Sequence, residues 1–481
     1  MKDIIKSSAL IGSTEFALII VAIIRAKYLA LNIGPEGYGE YSLLNSFFTI
    51  LTAICGGWIA RGTIKYTAEY RQKKEFDLAA KVHNYSISLA LILGSIATAL
   101  VFLFQSFVRS YFLSPDIILW HYSLFAASFL ATSITPFFGW LLQSYLMIKR
   151  TVVLRIITSF FSLITVFIFV YFFELTGYFL SILCSAFFGL YLYWRETRRV
   201  LQTKFVLPNI KDEIFKKLMR FGSVNFVLLI INNISDYLQR VFVLGALNIA
   251  SVGLFQVANS IINYMGILNR GSLFFNDPKM SQELTNDERN KVLNDFLRFN
   301  ILLGIPISVI LILFSKEFII LLYSESFVEL SSILFVFVAA QFLSFLVGGF
   351  QSVMLGKSFL KMHSFISILY SVVVILIPFI FIRKFGLITI GLSILIANLI
   401  TLIVDYTYLK NKIKISIHIQ VFKLLVVAAF CFIVSQQIQT SYIVLRVLFL
   451  ILVFLILIFS IKKEERYKLL ALIKKSINRK I

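Results

Sequence analysis

Apolar runs of about 20 residues follow one another along nearly all of this 481-residue chain. Each is long enough to cross the roughly 30 Å hydrocarbon core of a bilayer as a helix. No water is present there to satisfy a backbone N–H or C=O, so each segment must close its own hydrogen bonds, and the α-helix does that within one segment. The expected fold is therefore all-α: a polytopic membrane protein with about fourteen transmembrane helices. The chain is 59% hydrophobic and only 15% charged, whereas a soluble domain carries about a quarter charged residues. The first apolar run begins near Ser8 and is long enough to stay as an anchor rather than be cleaved as a signal peptide.

The formal net charge of +22 invites a nucleic-acid reading, and the placement of the charge rejects it. Basic residues collect in alternate loops: Lys2 and Lys6, Arg71–Lys81, Lys149–Arg155, Arg195–Lys217, Lys279–Arg298, Lys357 and Lys361, Lys410–Lys423, and the tail from Lys462. The loops between hold little beyond Arg109, Lys316, Arg383 and Lys384. This is positive-inside patterning. It predicts both termini in the cytoplasm and an even number of spans, with lipid rather than nucleic acid as the partner. In the tail, Leu469, Leu470, Ile473 and Ile477 fall on one helical side and Lys/Arg on the other, the pattern of a helix lying on anionic lipid.

Enzyme chemistry finds little footing. Cys55, Cys184 and Cys431 lie in separate expected helices, and His83, His121, His363 and His418 are scattered without metal-ligand spacing. No G-x-x-x-x-G-K-[ST] run is present, so ATP is not the direct drive. We expect no catalytic residues, no metal and no organic cofactor.

An internal repeat organises the chain. LNI with a following Gly occurs at Leu31–Gly37 and again at Leu247–Gly253. Lys81-Val82-x-Asn84 matches Lys291-Val292-x-Asn294, Gln143-Ser144 with Lys149 matches Gln351-Ser352 with Lys357, and LSIL at Leu180–Leu183 matches LSIL at Leu392–Leu395. Four matches in order at a nearly constant offset indicate duplication. Six spans per unit is even, so both halves share one orientation, as in parallel repeats about the membrane normal. The expected layout is two pseudo-symmetric six-helix lobes around a central cationic cavity, plus two extra C-terminal helices. The N-lobe is 1–200, an inter-lobe linker 201–218, the C-lobe 219–410, the extra spans 411–461 and the amphipathic tail 462–481.

Ionisable residues inside spans are costly and by default face a bundle interior. Here they are Glu15, Arg25, Lys27, Asp236, Arg240, Arg270, Asp405 and Arg446. Lys27, near a helix exit, suits snorkelling to the interface. Asp236 and Arg240 are four apart on one face, which suits either a self-neutralising pair or a switchable ion site. Arg61 and Lys65 close the second span, as stop signals or as cavity groups. Arg25, Arg61, Lys65, Arg240 and Arg270 are the expected substrate-binding set, with Asp236 and Glu15 as ion-coupling candidates. An Arg-rich cavity suits an anionic headgroup, because the guanidinium fork meets two phosphate oxygens at once. The lipid tail stays in the bilayer while the polar head avoids hydrocarbon.

The run xxGPEGYGEYSLxxS followed by GGW-x-x-R-G-x-x-K-Y-x-A-E-Y, within Leu31–Tyr70, resembles the Wzx-type polysaccharide flippases. These belong to the multidrug/oligosaccharidyl-lipid/polysaccharide exporter superfamily. VGLFQVANSI at Val252–Ile261 and a turn at Asp277–Ser281 fit the second-lobe counterparts. The resemblance implies movement of undecaprenyl-pyrophosphate-linked oligosaccharide units, O-antigen of lipopolysaccharide or a similar glycan, by alternating access. It also implies an ion gradient of Na⁺ or H⁺ and an association with polysaccharide polymerase machinery. Peptidoglycan-precursor flippases of the superfamily carry an essential span-1 arginine, and Arg25 sits at the matching place. A membrane-embedded glycan polymerase or ligase would need acid, base or His groups on large outer loops, and these loops are short. A drug or cation antiporter of the same superfamily would favour an acidic cavity.

Overall fold

The computed structural model describes residues 2–145, 147–200, 205–280, 282 and 284–460. The expected amphipathic tail, residues 201–204 of the linker and the side chain of Glu15 lie outside the described residues. The rest is helical. The α-helices are α1 (Lys2–Ile54), α2 (Ala60–Gln72), α3 (Phe76–Leu103), α4 (Gln105–Phe112), α5 (Leu119–Ser144), α6 (Ile148–Val200), α7 (Glu213–Ala246), α8 (Ile249–Met280), α9 (Asn286–Leu313), α10 (Ser315–Leu322), α11 (Leu334–Gly356), α12 (Leu360–Phe385), α13 (Ile388–Ile413), α14 (Ile419–Ile438) and α15 (Ile443–Ser460). Among the described residues, eleven helices are long and apolar enough to cross a membrane, and Ile443–Ile458 is a shorter apolar helix.

Two of the eleven are double-length. α1 and α6 each run 53 residues, about 80 Å at 1.5 Å per residue, more than twice the hydrocarbon thickness. Each breaks near its middle. α1 breaks at Gly34, where φ is 60°. Glycine takes that conformation at little cost, and the following Pro35 removes an amide donor that the break would strand. α6 breaks at Glu174, with φ of 47°. Both breaks fall where the sequence reading ended one span and began the next. The turn expected at Asp277–Ser281 is not one over most of its length: α8 continues to Met280, and the Asp277 carboxylate accepts a hydrogen bond from Ser352 Oγ. That bond anchors the last turn of α8 to α11, so the Asp-Pro pair does not end the helix.

The chain packs as two compact units, with the boundary inside α8. The first runs to Val257 and includes Ile320–Phe327 and Val374–Thr389. Its core gathers Leu43, Leu44, Phe47 and Phe48 of α1 with Tyr122, Phe125 and Phe129 of α5 and Phe179 of α6. At its other end Asp212 caps α7 by accepting from the Ile214 amide. The same carboxylate pairs with Lys81 and accepts from the Tyr85 hydroxyl at 3.1 Å. The Lys81 ammonium holds the Asp212 carboxyl below the usual carboxylate range. In the second unit α9 is central, packing on α11, α14 and α15. Thr285 and Glu288 form a capping box at the start of α9. Further along, Asn294 donates to the Ser416 carbonyl and accepts from the His418 amide, which ties the start of α14 to α9.

The two stretches that carry the LNI…Gly words touch within the first unit. Ser42 Oγ donates to Gln256 Oε1, 214 residues away. The contact is reciprocal: Gly39 lies against the Ile249 carbonyl and Gly253 against the Pro35 carbonyl. A methyl group at either glycine would overlap a carbonyl oxygen rather than a movable side chain. Gly39→Ala and Gly253→Ala should each cost about 1–3 kcal/mol by overpacking. Thermal unfolding in detergent checks this, with Gly245→Ala on α7 as the neutral comparison because nothing lies within 4 Å of a Cβ there.

Candidate functional site

A cavity of about 620 Å³ opens in the first unit among both arms of α1, α5 and both arms of α6. Arg25, from the first arm of α1, and Arg155, two turns into α6, both line it. Arg25 Nη1 donates to Ser162 Oγ at 3.4 Å. Among the described lining residues the charged groups are these two guanidiniums, and low-dielectric walls strengthen the field of charges placed there.

The rest of the wall is dense in hydroxyls. Thr49, Thr52 and Ser181 donate to the Asn45, Phe48 and Tyr178 carbonyls, and Ser128, Thr132 and Thr158 donate to Phe125, Phe129 and Leu154. Such back-bonding satisfies each hydroxyl proton within its helix while the oxygen keeps acceptor capacity. The wall therefore offers acceptors to hydroxyl-bearing ligands and charged donors to anions. Tyr41, Phe48, Phe125 and Tyr178 supply ring surface, which suits the apolar face of a sugar. A second hollow in this unit, lined by Ile87, Phe187, Tyr191, Trp194 and Phe205 among others, is apolar and offers nothing to orient a charged head.

The other expected residues lie elsewhere. Arg240 is buried on α7, and its guanidinium donates to Ser42 Oγ at 2.7 Å and Gln256 Oε1 at 3.0 Å. It also pairs with the Asp236 carboxylate at 2.7 Å, and that carboxylate is half exposed. This set joins α7 to the reciprocal contact of α1 and α8. Arg61 and Lys65 are exposed on α2, with Lys65 over the Phe221 ring. Arg270 is exposed on α8, in the second unit. Lys27 donates to the Ile320 carbonyl at 2.6 Å instead of only reaching outward. In the second unit Arg446 pairs with Glu317 at 2.7 Å, and Asp405 is fully buried.

Of the five basic residues expected at a substrate cavity, Arg25 alone lines this one, and its companion is Arg155. The sequence reading placed Arg155 at the end of a cytoplasmic basic run. A signal was present. Arg155, Ser159 and Ser162 recur at helical spacing within an otherwise apolar stretch, which marks one polar face.

Long apolar helices here enclose a hydroxyl-lined hollow that carries two arginines, and comparison with solved structures bears on the fold. The chain is similar to the lipid II flippase MurJ in an inward closed conformation, with TM-score 0.71 and 16% identity over 93% of this chain and 97% of that one. It is similar to an inward-facing multidrug resistance MATE family transporter of the MOP superfamily, with TM-score 0.68 and 17% identity over 82% and 94%. A MOP superfamily transporter from Pyrococcus furiosus, described as having a binding pocket of reverse polarity, follows with TM-score 0.59 and 18% identity over 84% and 94%. At these identities the likeness is one of fold. No curated protein matches the sequence. Residues 4–269 match the polysaccharide biosynthesis protein family, and the chain belongs to that family.

The Arg240 network generates a stability test. Arg240→Ala removes the donor shared by Ser42, Gln256 and Asp236, and should cost about 3 kcal/mol. Asp236→Asn keeps the neutral partners of the guanidinium and should cost about 1 kcal/mol. Thermal unfolding of the purified variants in detergent ranks the two.

Proposed function

We propose that this chain is a flippase for undecaprenyl-pyrophosphate-linked oligosaccharide units, moving them from the inner to the outer leaflet of the bacterial cytoplasmic membrane by alternating access. The observation that carries this reading is that Arg25 and Arg155 line one cavity walled by hydroxyls. A pyrophosphate carries several acceptor oxygens, and two planar guanidiniums can each engage a pair of them. The hydroxyl oxygens suit sugar O–H donors. The polyprenyl chain needs no protein site, because it remains in hydrocarbon while the head passes through the cavity. Membership of a polysaccharide biosynthesis family supports the cargo class. The fold shared with MurJ, itself titled a lipid II flippase, supports the reaction type. A cationic drug would meet two arginines in this cavity, which disfavours the antiporter reading.

The remaining roles belong to the same proposal. Cytoplasmic termini follow from the loop charges. An ion gradient drives the cycle, with Na⁺ or H⁺ as the coupling ion and Asp236 and Glu15 as candidate sites. Arg61, Lys65 and Arg270, all exposed, serve as anionic-headgroup contacts along the route, and Arg240 acts through the helix contact that it holds. Release in the outer leaflet delivers product to polymerase machinery.

The test uses vesicles reconstituted with the full chain and a fluorescent undecaprenyl-pyrophosphate-linked sugar as probe. A charge-assisted hydrogen bond contributes about 1.5–3 kcal/mol, so Arg25→Ala and Arg155→Ala should each weaken probe binding by about 10- to 100-fold. Arg25→Lys should retain part of it, because the charge stays and the fork is lost. Unchanged binding and flipping in both alanine variants would remove this cavity from the transport route.

A further inference from the structure

Buried behind the arginine cavity is a titratable cluster that the reading above does not use. His121 Nδ1 lies 2.8 Å from Glu40 Oε1, and His121 Nε2 lies 2.8 Å from Thr176 Oγ1. The imidazole side chain is 4% exposed and the carboxylate 12%, so neither charge is solvated by bulk water. Position adds to the interest. Glu40 stands six residues past the Gly34 break of α1, and Thr176 two residues past the Glu174 break of α6. His121 belongs to the first turn of α5. The cluster therefore ties the two bent helices together just beyond their bends, with α5 as the third support.

A ring layer joins this cluster to the cavity. His121 stacks on Phe179 with centroids 4.9 Å apart. Phe179 in turn contacts Phe125 at 6.1 Å and Tyr178 at 6.0 Å. Phe125 and Tyr178 line the cavity, and so does Tyr41, the residue after Glu40. A shift of the imidazole or of either bent arm moves rings that form the cavity wall.

We propose that Glu40, His121 and Thr176 form a proton-binding site whose occupancy sets the geometry of the Arg25–Arg155 cavity, which makes H⁺ the coupling ion of the flippase reading on which this inference rests. The proton accounting is simple. In both states Nδ1–H donates to the Glu40 carboxylate. Without the extra proton, Nε2 accepts from the Thr176 hydroxyl. With it, Nε2–H donates to Thr176 Oγ1, and the hydroxyl turns its own hydrogen elsewhere. A hydroxyl is donor and acceptor at once, so one Thr serves both states without leaving a buried ring nitrogen unpaired. The protonated pair is neutral overall and the deprotonated pair carries one negative charge, so each transition changes the charge buried among these helices.

Other titratable groups on the neighbouring elements are engaged or turned outward. On α1, Glu36 is exposed and the Tyr38 hydroxyl donates to the Ala26 carbonyl. On α5 the Tyr122 hydroxyl donates to the Val101 carbonyl, and on α6 Glu174 is exposed. Arg109 of α4 donates to the Pro115 and Ile117 carbonyls, and Asp116 accepts from Ser114. Arg240 of α7 holds Ser42, two residues past Glu40 and toward another side of α1.

Histidine-labelled protein in lipid nanodiscs tests the site by NMR, with the His121 signal assigned through His121→Asn among the four histidines. The His121 ring should change its protonation state as the pH is changed. Glu40→Gln should move its midpoint by about tenfold or more in proton concentration. Thr176→Val, which keeps the side-chain shape, should move it as well, and Thr176→Ser should restore it. Undecaprenyl pyrophosphate added to the wild-type chain should displace the midpoint by about fivefold or more, because linkage is reciprocal. A ring fixed in one protonation state at every pH at which the chain stays folded, or a midpoint indifferent to Glu40→Gln, overturns the site. Lipid that binds without moving the midpoint overturns the coupling. Lipid that fails to bind while His121 titrates against Glu40 sinks the cargo reading and leaves the proton site standing.

Discussion

The absence of water from the hydrocarbon layer is the constraint under which this molecule is built. A backbone amide or carbonyl left open there costs several kcal/mol, so the chain is helical almost throughout. Interruptions occur where special chemistry absorbs them. Gly34 takes a positive φ and Pro35 has no amide to strand. The same scarcity of partners explains the hydroxyls. Ser and Thr in α1, α5 and α6 return their protons to carbonyls of their own helices, which lets a polar wall exist inside an apolar bundle.

Charge obeys the same rule with two different outcomes. Arg240 is tied to Ser42, Gln256 and Asp236 where α7 joins α1 and α8. The network is built into a helix contact. Arg25 instead faces a cavity across from the helix face that carries Arg155, with hydroxyls between. Both are arginines within apolar spans, and only packing separates a group that holds helices together from a group that faces a hollow. The buried His121–Glu40 pair stands between these cases, enclosed like Arg240 yet able to change its proton content.

Much of the architecture was legible because it follows from hydropathy and repeat. The spans, the breaks near residues 34 and 174 and the duplicated LNI…Gly words need only the chain itself. In the structure Gly253, the glycine of the second word, lies against the Pro35 carbonyl, and Gly39 lies reciprocally against the Ile249 carbonyl. Asp277-Pro278 misled, because a local turn signal is overridden when the end of α8 is anchored through Ser352. Arg155 was passed over because a basic residue close to a loop looks like an inside-positive signal whichever way its side chain points. His121 looked isolated because its partners lie 81 and 55 residues away.

The amino-acid order alone determined that this protein is a helical membrane bundle and where its two longest helices bend. Those properties depend on side-chain hydropathy, glycine and proline backbone limits and local periodicity, all readable over short windows. Only the tertiary structure decided which charges share a cavity, which are consumed as struts and which histidine gains a carboxylate. Those outcomes depend on how helices distant in sequence rotate against one another, and a rotation of a few tens of degrees carries a side chain from lipid to interior without changing any local pattern.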